Sequence, residues 1–401
     1  MPRICQTVAH NMKYTPKTIA AFALVAACSL HAAPLYQVAN LGTLGGNSSL
    51  GIAVSGTGQV TGTSATSGNV SSKAFYYSAA QGMIDIGTLG GVNSWGRAIS
   101  ESGLIAGSSE TATAGQHAFL YDGTSNSMLD LGTLGGLHSA ALGVNDAGQV
   151  TGDSHVTGSG ATHAFLYSNG AMIDMGTLGG STSGGFAINN AGYVVGYSTL
   201  SGDSVMRAFV FDGVTMFDLG TLPGGTSSQG LDINDNGALT GVAWGGTLAE
   251  HAFIYSNGAM LDLGTLGGSS STGWSINDRG DVTGWSYEQG GSDPLAFVYA
   301  DGVMSDLNEL MDPTSGAGWT LISGQDINDA GQITGYGVLN GEYRAFLLTP
   351  LTVPEPSSLA SVLLALGLFA WCKATRPVRP CRLLSTARAW RPAVAARLAR
   401  T

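Results

Sequence analysis

A segment of about 44 residues recurs along most of the chain. The signature Gly-Thr-Leu-(Gly/Pro)-Gly-Gly begins six times at intervals of 44 or 45 residues, at Gly42, Gly87, Gly132, Gly176, Gly220 and Gly264. An Ala-Phe pair recurs seven times, ending at Phe75, Phe119, Phe165, Phe209, Phe253, Phe297 and Phe346. A fixed period of this length indicates a repeat architecture, in which each unit buries its apolar face against its neighbours. The period constrains the fold more than the length of 401 residues does.

Each repeat predicts four strands. Turns ending in Gly separate the first two strands, and Asn169-Gly170, Asp212-Gly213, Asn257-Gly258 and Asp301-Gly302 predict two-residue hairpins between the last two. Successive hairpins imply antiparallel strands and exclude a parallel β-helix. Four antiparallel strands in about 44 residues form one propeller blade.

The two ends of the repeat region predict a closed ring. The last Ala-Phe strand, Arg344–Leu348, has no fourth strand after it, and Tyr36–Leu41 resembles a fourth strand with no blade before it. Pairing these two strands completes seven blades and removes two open edges. We therefore predict an all-β, seven-bladed β-propeller over residues 34–349, closed by the N-terminal strand. A longer interval in blade seven indicates an insertion near Glu309–Trp319.

Charge and cysteine placement exclude several functions. All 27 acidic side chains but only five basic ones lie between Leu35 and Pro356, so this region carries a net charge of −22. Such a surface repels phosphates, and we expect no nucleic-acid partner. Cysteine occurs only in the terminal segments, at Cys5, Cys28, Cys372 and Cys381. The repeats therefore have no disulfide, no cysteine metal site and no cysteine nucleophile.

The terminal segments predict export. Residues 1–33 read as a signal peptide, with Lys13 and Lys17 before an apolar core. An alternative is a lipoprotein cleavage box ending at Cys28. Residues 350–356 form a linker, residues 357–372 a predicted transmembrane helix, and residues 373–401 a basic tail that is expected to stay cytoplasmic.

Two resemblances extend this interpretation. The order of Val353-Pro354-Glu355-Pro356-Ser357, an apolar segment and a basic cluster resembles a PEP-CTERM sorting signal. That resemblance implies an exosortase-type processing enzyme as partner, membrane anchoring through the helix, and then a cell-surface or extracellular location in a bacterium that makes exopolysaccharide. The repeats, with His-Ala-Phe at residues 117–119, 163–165 and 251–253, resemble the HAF-type extracellular repeat family, which implies no established activity.

The recurrent polar residues favour structural roles. Three repeats carry His before Ala-Phe, but the others carry Lys73, Arg207, Leu295 and Arg344, and protonated Lys or Arg cannot bind a metal. We expect no metal there and a cross-strand contact between His163 and Asp174. The carboxylates that end the fourth strands are expected to pin a turn, at Asp85, Asp130, Asp174, Asp218, Asp262 and Asp306, with Asn40 in the seventh place. The turn after Asp232 resembles a calcium loop only faintly, because it lacks the downstream Glu.

One position breaks the symmetry of the repeats. After the Gly of the second strand, blades one to three carry small polar residues, at Thr63, Ser108 and Asp153. Blades four to seven carry an aromatic side chain there or two residues later, at Tyr197, Trp244, Trp285 and Tyr336. These four residues are our ligand-binding candidates, as rings that stack on sugars. The alternative is that they pack between blades.

The sequence therefore favours an exported, non-catalytic binding or structural scaffold that contacts exopolysaccharide and uses no cofactor. The alternative is a propeller-fold glycan lyase or hydrolase, with Glu309 or Asp312 of the blade-seven insertion as an acid or base. An enzyme requires convergent titratable groups in one deep pocket.

Overall fold

The computed structural model describes residues 35–113, 115–158 and 160–351. These residues form seven four-stranded antiparallel sheets and one short 3₁₀ turn, Ser67–Asn69. The predicted seven-bladed β-propeller is thereby confirmed. Within the described ranges, no helix has the length and apolarity needed to cross a membrane. The predicted signal peptide, sorting motif, C-terminal helix and basic tail lie outside them.

The strands are numbered in chain order, beginning with β1 (Tyr36–Asn40). Blades one to three comprise β2 (Gly45–Val54), β3 (Val60–Thr66), β4 (Ser72–Ser78) and β5 (Gly82–Asp85); β6 (Gly90–Ile99), β7 (Leu104–Thr111), β8 (Gln116–Asp122) and β9 (Ser127–Asp130); and β10 (Gly135–Val144), β11 (Val150–Val156), β12 (Thr162–Ser168) and β13 (Ala171–Asp174). Blades four to six comprise β14 (Gly179–Ile188), β15 (Val194–Leu200), β16 (Met206–Phe211) and β17 (Met216–Asp218); β18 (Ser227–Ile233), β19 (Leu239–Gly245), β20 (Leu248–Ser256) and β21 (Ala259–Gly264); and β22 (Gly267–Ile276), β23 (Val282–Glu288), β24 (Leu295–Ala300) and β25 (Val303–Asp306). Blade seven comprises β26 (Trp319–Ile327), β27 (Ile333–Leu339) and β28 (Glu342–Pro350), together with β1.

The Ala-Phe pair packs at the interface between neighbouring blades. All seven phenylalanines are fully buried. Phe119 packs in one cluster with Ala74 and Ile99, so the Phe of blade two meets the Ala of blade one. The same arrangement joins Phe165 to Ala118 in the next interface. Full burial of a Phe side chain contributes roughly 1.5–3 kcal/mol, which explains why this pair recurs in every blade.

The turns follow the predicted chemistry, with one exception. The Gly that ends each first hairpin has a positive φ, as at Gly148 with 73°. Asn169 and Gly170 have φ values of 52° and 80°, as a type I′ turn requires. The two-residue hairpin predicted at Asp212-Gly213 is wrong, because four residues separate β16 from β17. The Asp212 carboxylate accepts the Val214 and Thr215 amides, which favours the longer loop.

The N-terminal strand closes the ring, as predicted. β1 pairs antiparallel with β28, from Tyr36 opposite Pro350 to Asn40 opposite Phe346. The blade-seven insertion, residues 307–318, lies against the other side of β1. There the Tyr36 amide donates to the Leu310 carbonyl at 2.8 Å, and the Val38 amide donates to Ser315 Oγ at 3.1 Å. The insertion therefore covers an edge that would otherwise be open.

Candidate functional site

The four aromatic candidates lie on the second strands of blades four to seven. Tyr197, Trp285 and Tyr336 pair across the sheet with the Ala of their own Ala-Phe pair, so they point toward the following blade. Trp244 lies two residues beyond Val242 and pairs with Ser227, at the beginning of the inner strand β18. All four side chains are half-buried, neither enclosed in the core nor fully exposed. We call these four residues the aromatic arc.

Three further aromatic side chains extend the arc. The ring centroid of Phe186 lies 5.9 Å from that of Tyr197, and that of Tyr287 lies 5.5 Å from that of Trp285. The ring of Tyr343, which is half exposed, lies 6.3 Å from that of Tyr336. Tyr287 could have been found from the sequence, because it follows Trp285 by two residues, as Trp244 follows Val242. The other two lie on different strands from their partners, so only the fold brings them together.

The tyrosines of the arc are neutral hydrogen-bonding groups. Burial raises the pKa of Tyr197, and the nearby charge of Asp153 raises it further. Burial raises the pKa of Tyr336, and the electrostatic effect of Tyr343 raises it further. Both hydroxyls therefore keep their protons at neutral pH, and each can donate and accept one hydrogen bond beside an apolar ring.

A charged group adjoins the arc at blade three. Burial raises the pKa of Asp153, and the nearby charges of His155 and Arg97 oppose this shift. Arg97 keeps contact with solvent, yet enough protein surrounds its guanidinium that desolvation lowers its pKa. Blade three thus offers a carboxylate next to Tyr197 of the first aromatic blade, and the Arg97 cation of blade two lies near that carboxylate.

The C-terminal ends of the inner strands, where the first hairpin of each blade begins, surround a cavity of about 220 Å³. Here the turn asparagines form a ladder between blades. Side-chain amides donate to the carbonyl of the next blade along the series Asn145, Asn189, Asn234, Asn277, Asn328 and Ser55, at 2.8–3.2 Å. The residues that directly follow these asparagines in the chain form a second set of contacts. Each of these side chains accepts a backbone amide of the preceding blade, at Asn190, Asp235, Asp278 and Asp329. These polar groups therefore stabilise the ring.

The floor of this cavity carries an asymmetric cluster. One residue before the end of the inner strand, blades five to seven have Asp232, Ser275 and Asp326, whereas blades one to four have only Ala or Gly. Ser275 Oγ lies 2.8 Å from Asp232 Oδ2 and 2.6 Å from Asp326 Oδ1. We call these three residues the channel trio. The sequence analysis missed it, although a comparison of repeats at this one position reveals it.

The carboxylate of Asp232 forms hydrogen bonds within the fold. Its oxygens accept the Ile233 and Ile276 amides as well as the Ser275 hydroxyl. Within residues 35–113, 115–158 and 160–351, no three His, Cys, Asp or Glu side chains are grouped so that they could hold a metal ion.

The recurrent His and Asp residues make the predicted local contacts. His163 Nδ1 lies 2.9 Å from the Asp174 carboxylate, and the same pair occurs in blades two and five. Asp174 also accepts the Gly176 amide at 2.7 Å, so it pins the turn into the next blade. The other members of the series do likewise, at Asp85, Asp130, Asp218, Asp262, Asp306 and Asn40. Both predictions are confirmed.

The acid and base candidates of the insertion lie apart from the cavity. Asp312 accepts both the amide and the hydroxyl of Ser315, and these hydrogen bonds lower its pKa. Glu309 is exposed. Neither residue lines the cavity at the hairpin end. Their contacts are those of a turn that holds β1.

The chain matches no protein-family model and no curated protein sequence. Among solved structures, it is similar to the β-propeller domain of the Trilobed protease from Pyrococcus furiosus, described as an open velcro topology. That likeness has 10% identity, a TM-score of 0.50, and covers 79% of this chain and 95% of that domain. A puromycin-hydrolysing peptidase from Mycobacterium tuberculosis matches with 11% identity and a TM-score of 0.50, over 80% of this chain and 55% of the peptidase. At these identities the likeness shows the fold alone.

Proposed function

We propose that this propeller is an exported, non-catalytic binding module that retains polysaccharide through the aromatic arc. The observation that carries the proposal is the division of the ring. Four consecutive blades present half-buried aromatic rings at one repeat position or, in blade five, two residues beyond it, whereas the other three present small polar residues at that position. Thr63 and Ser108 lie opposite the larger Leu50 and Trp95, whereas Tyr197 lies opposite Gly184. Cross-strand packing therefore accounts for part of that division, and the retention test separates it from ligand binding.

The chemistry of the arc suits a sugar ligand. Sugar rings present apolar C–H faces and a rim of hydroxyls, so they bind to flat aromatic surfaces that have hydrogen-bonding groups nearby. Trp285 and Tyr287 form a T-shaped pair, and the Tyr197 and Tyr336 hydroxyls are neutral. Asp153 supplies an acceptor beside blade four. Repeated sites around a ring also allow a polymer to bind several blades, which raises its avidity.

Export and anchoring form part of the same proposal. The signal peptide at 1–33 would direct translocation. The motif Val353–Ser357, the apolar segment 357–372 and the basic tail would anchor the chain in the membrane until an exosortase-type enzyme processes it. An extracellular location would bring the arc to exopolysaccharide, which the sequence resemblance implies that the host bacterium makes. Detection of full-length protein in the cytosol, with residues 1–33 retained, would contradict this part.

The test is retention of the chain by polysaccharide in affinity electrophoresis, with neutral and acidic polymers in separate gels. Trp285→Ala and Tyr197→Ala should each weaken retention at least about tenfold, equivalent to about 1.4 kcal/mol of binding. Tyr193→Ala is the matched control, because this exposed tyrosine lies four residues from Tyr197 but in the hairpin turn at the other end of the strand. Equal retention of all variants, or a loss that follows only their stability, would refute the arc.

A further inference from the structure

The channel trio departs from the repeat at the place where neighbouring inner strands meet. Asp232 belongs to blade five, Ser275 to blade six and Asp326 to blade seven. Asp232 accepts the Ile276 amide of blade six at 2.9 Å. Asp326 accepts the Val54 amide of blade one at 2.7 Å. The trio therefore connects four consecutive blades through side chains that blades one to four lack at this position.

All four carboxylate oxygens of the trio are occupied. Asp232 Oδ1 and Oδ2 accept the amides of Ile233 and Ile276. Asp326 Oδ1 and Oδ2 accept those of Ile327 and Val54. Ser275 is buried between the two acids. An approaching substrate would have to displace backbone amides, so this geometry favours a structural role over acid–base catalysis.

The short contacts around Ser275 require one proton more than the hydroxyl supplies. Its oxygen lies 2.8 Å from one carboxylate oxygen and 2.6 Å from another, both hydrogen-bonding distances for O–H···O. A serine hydroxyl donates only one hydrogen. If it donates to one acid, the contact to the other is favourable only when that acid is itself protonated and donates to the serine oxygen.

The surroundings oppose a second negative charge. The other titratable side chains lining the cavity are all acidic: Glu101, Asp146, Asp235, Asp278 and Asp329. The nearest cation along the chain, Arg279, bonds to Asp281 and to the Asp329 carbonyl at the hairpins. No basic side chain among the described residues lines the cavity. Two ionised aspartates on its floor would therefore repel each other, with only the backbone amides and the Ser275 hydroxyl, and no cation, to offset the repulsion.

We propose that Asp232, Ser275 and Asp326 bind one proton in the folded state, and that this proton clamps the inner strands of blades five, six, seven and one. The clamp makes the stability of the propeller depend on pH. With the proton bound, a hydrogen-bonded chain runs from one acid through the serine to the other. Without it, one contact becomes a repulsion between oxygens.

The raised pKa values of the two acids are consistent with the proposal and give the sign of the pH dependence. Burial, reinforced by the charge of Asp232, raises the pKa of Asp326 to about 7. Burial also raises the pKa of Asp232. An aspartate in an unfolded chain has a pKa near 3.9. Between about pH 4 and pH 7 the unfolded chain therefore releases a proton that the folded chain retains. The stabilisation is complete below about pH 4, falls as pH rises, and is lost above about pH 7.

The test compares the pH dependence of unfolding in the full chain and in a variant without titratable groups on the floor. Asp232→Ala, Ser275→Ala and Asp326→Ala together restore the residue type that blades one, two and four carry at this position. Denaturant unfolding is measured from pH 4.5 to pH 8. The ratio of the wild-type to the variant unfolding constant should increase by up to about tenfold per pH unit and level off above pH 7.

Three further variants keep the result decisive. Asp329→Asn removes a carboxylate from the mouth of the same cavity and should retain the wild-type pH dependence. If the triple variant does not fold, Asp232→Asn and Asp326→Asn are measured singly, and each should flatten the curve. Parallel pH curves for the wild type and a folded trio variant would overturn the proposal, as would an equal flattening by Asp329→Asn.

Discussion

Blade seven and the six other blades form the same four-stranded sheet, but their outer strands come from different parts of the chain. In blade three, the short Asn169-Gly170 turn connects the Ala-Phe strand directly to the outer strand. In blade seven, the outer strand is β1, from the other end of the repeat domain. A hairpin holds register through its own turn, whereas β1 must find its register through contacts alone.

The contacts of β1 compensate for the missing hairpin. Tyr36, Val38 and the following Leu41 are buried. The insertion 307–318 adds backbone hydrogen bonds on the outer side of the strand. Among the described residues of blades one to six, the outer strands pair on one side only. The insertion therefore supports the one outer strand that no hairpin holds.

The largest expected effect comes from removing β1. A chain lacking residues 34–41 loses three buried apolar side chains, which contribute about 1.5–3 kcal/mol each, and leaves β28 as an open edge. We expect its free energy of unfolding to fall by roughly 5–8 kcal/mol, measured by urea denaturation. A chain of unchanged stability would show that the ring does not depend on this strand.

A smaller effect is expected from the insertion. Ser315→Ala removes the oxygen that accepts the Val38 amide and should destabilise the fold by about 1 kcal/mol. Hydrogen exchange should accelerate at Val38. The matched control is Ser292→Ala on an exposed loop of blade six, which should change neither quantity. Faster exchange in both variants would indicate a general loss of stability and not a local role of the insertion.

The smallest effect concerns blade seven, whose outer strand carries Asn40 where the outer strands of the other blades carry Asp. In blade three His163 contacts Asp174, but in blade seven the equivalent residues are Arg344 and Asn40, and Arg344 bonds to Glu342 instead. Asn40→Asp restores the carboxylate of the other blades. We expect a gain of roughly 0.2–1 kcal/mol that decreases with added salt. A salt-independent gain would point to the turn at Gly42 instead of the ion pair.

Local chemistry explains which features could be predicted. The Gly turns, the Asn-Gly hairpins and the turn-pinning carboxylates depend on residues a few positions apart, so the sequence predicted them correctly. The Asp212-Gly213 hairpin was wrong, although it too is local, because a carboxylate can bind amides of a longer loop as well as those of a tight turn. The aromatic arc was located by comparing repeats, but its partners Phe186 and Tyr343 were not, since cross-strand neighbours depend on packing.

The sequence by itself determined the number of blades, their strands and the closing partner of β1, because a repeated pattern of burial and turns specifies each unit locally. Only the tertiary structure decided which polar side chains meet across blades. Asp326 contacts Ser275, 51 positions away, and the Val54 amide, 272 positions away. No local pattern encodes such distances. They follow from the closure of the ring, which brings seven equivalent strand ends around one axis and makes a difference at one repeat position a contact between neighbours.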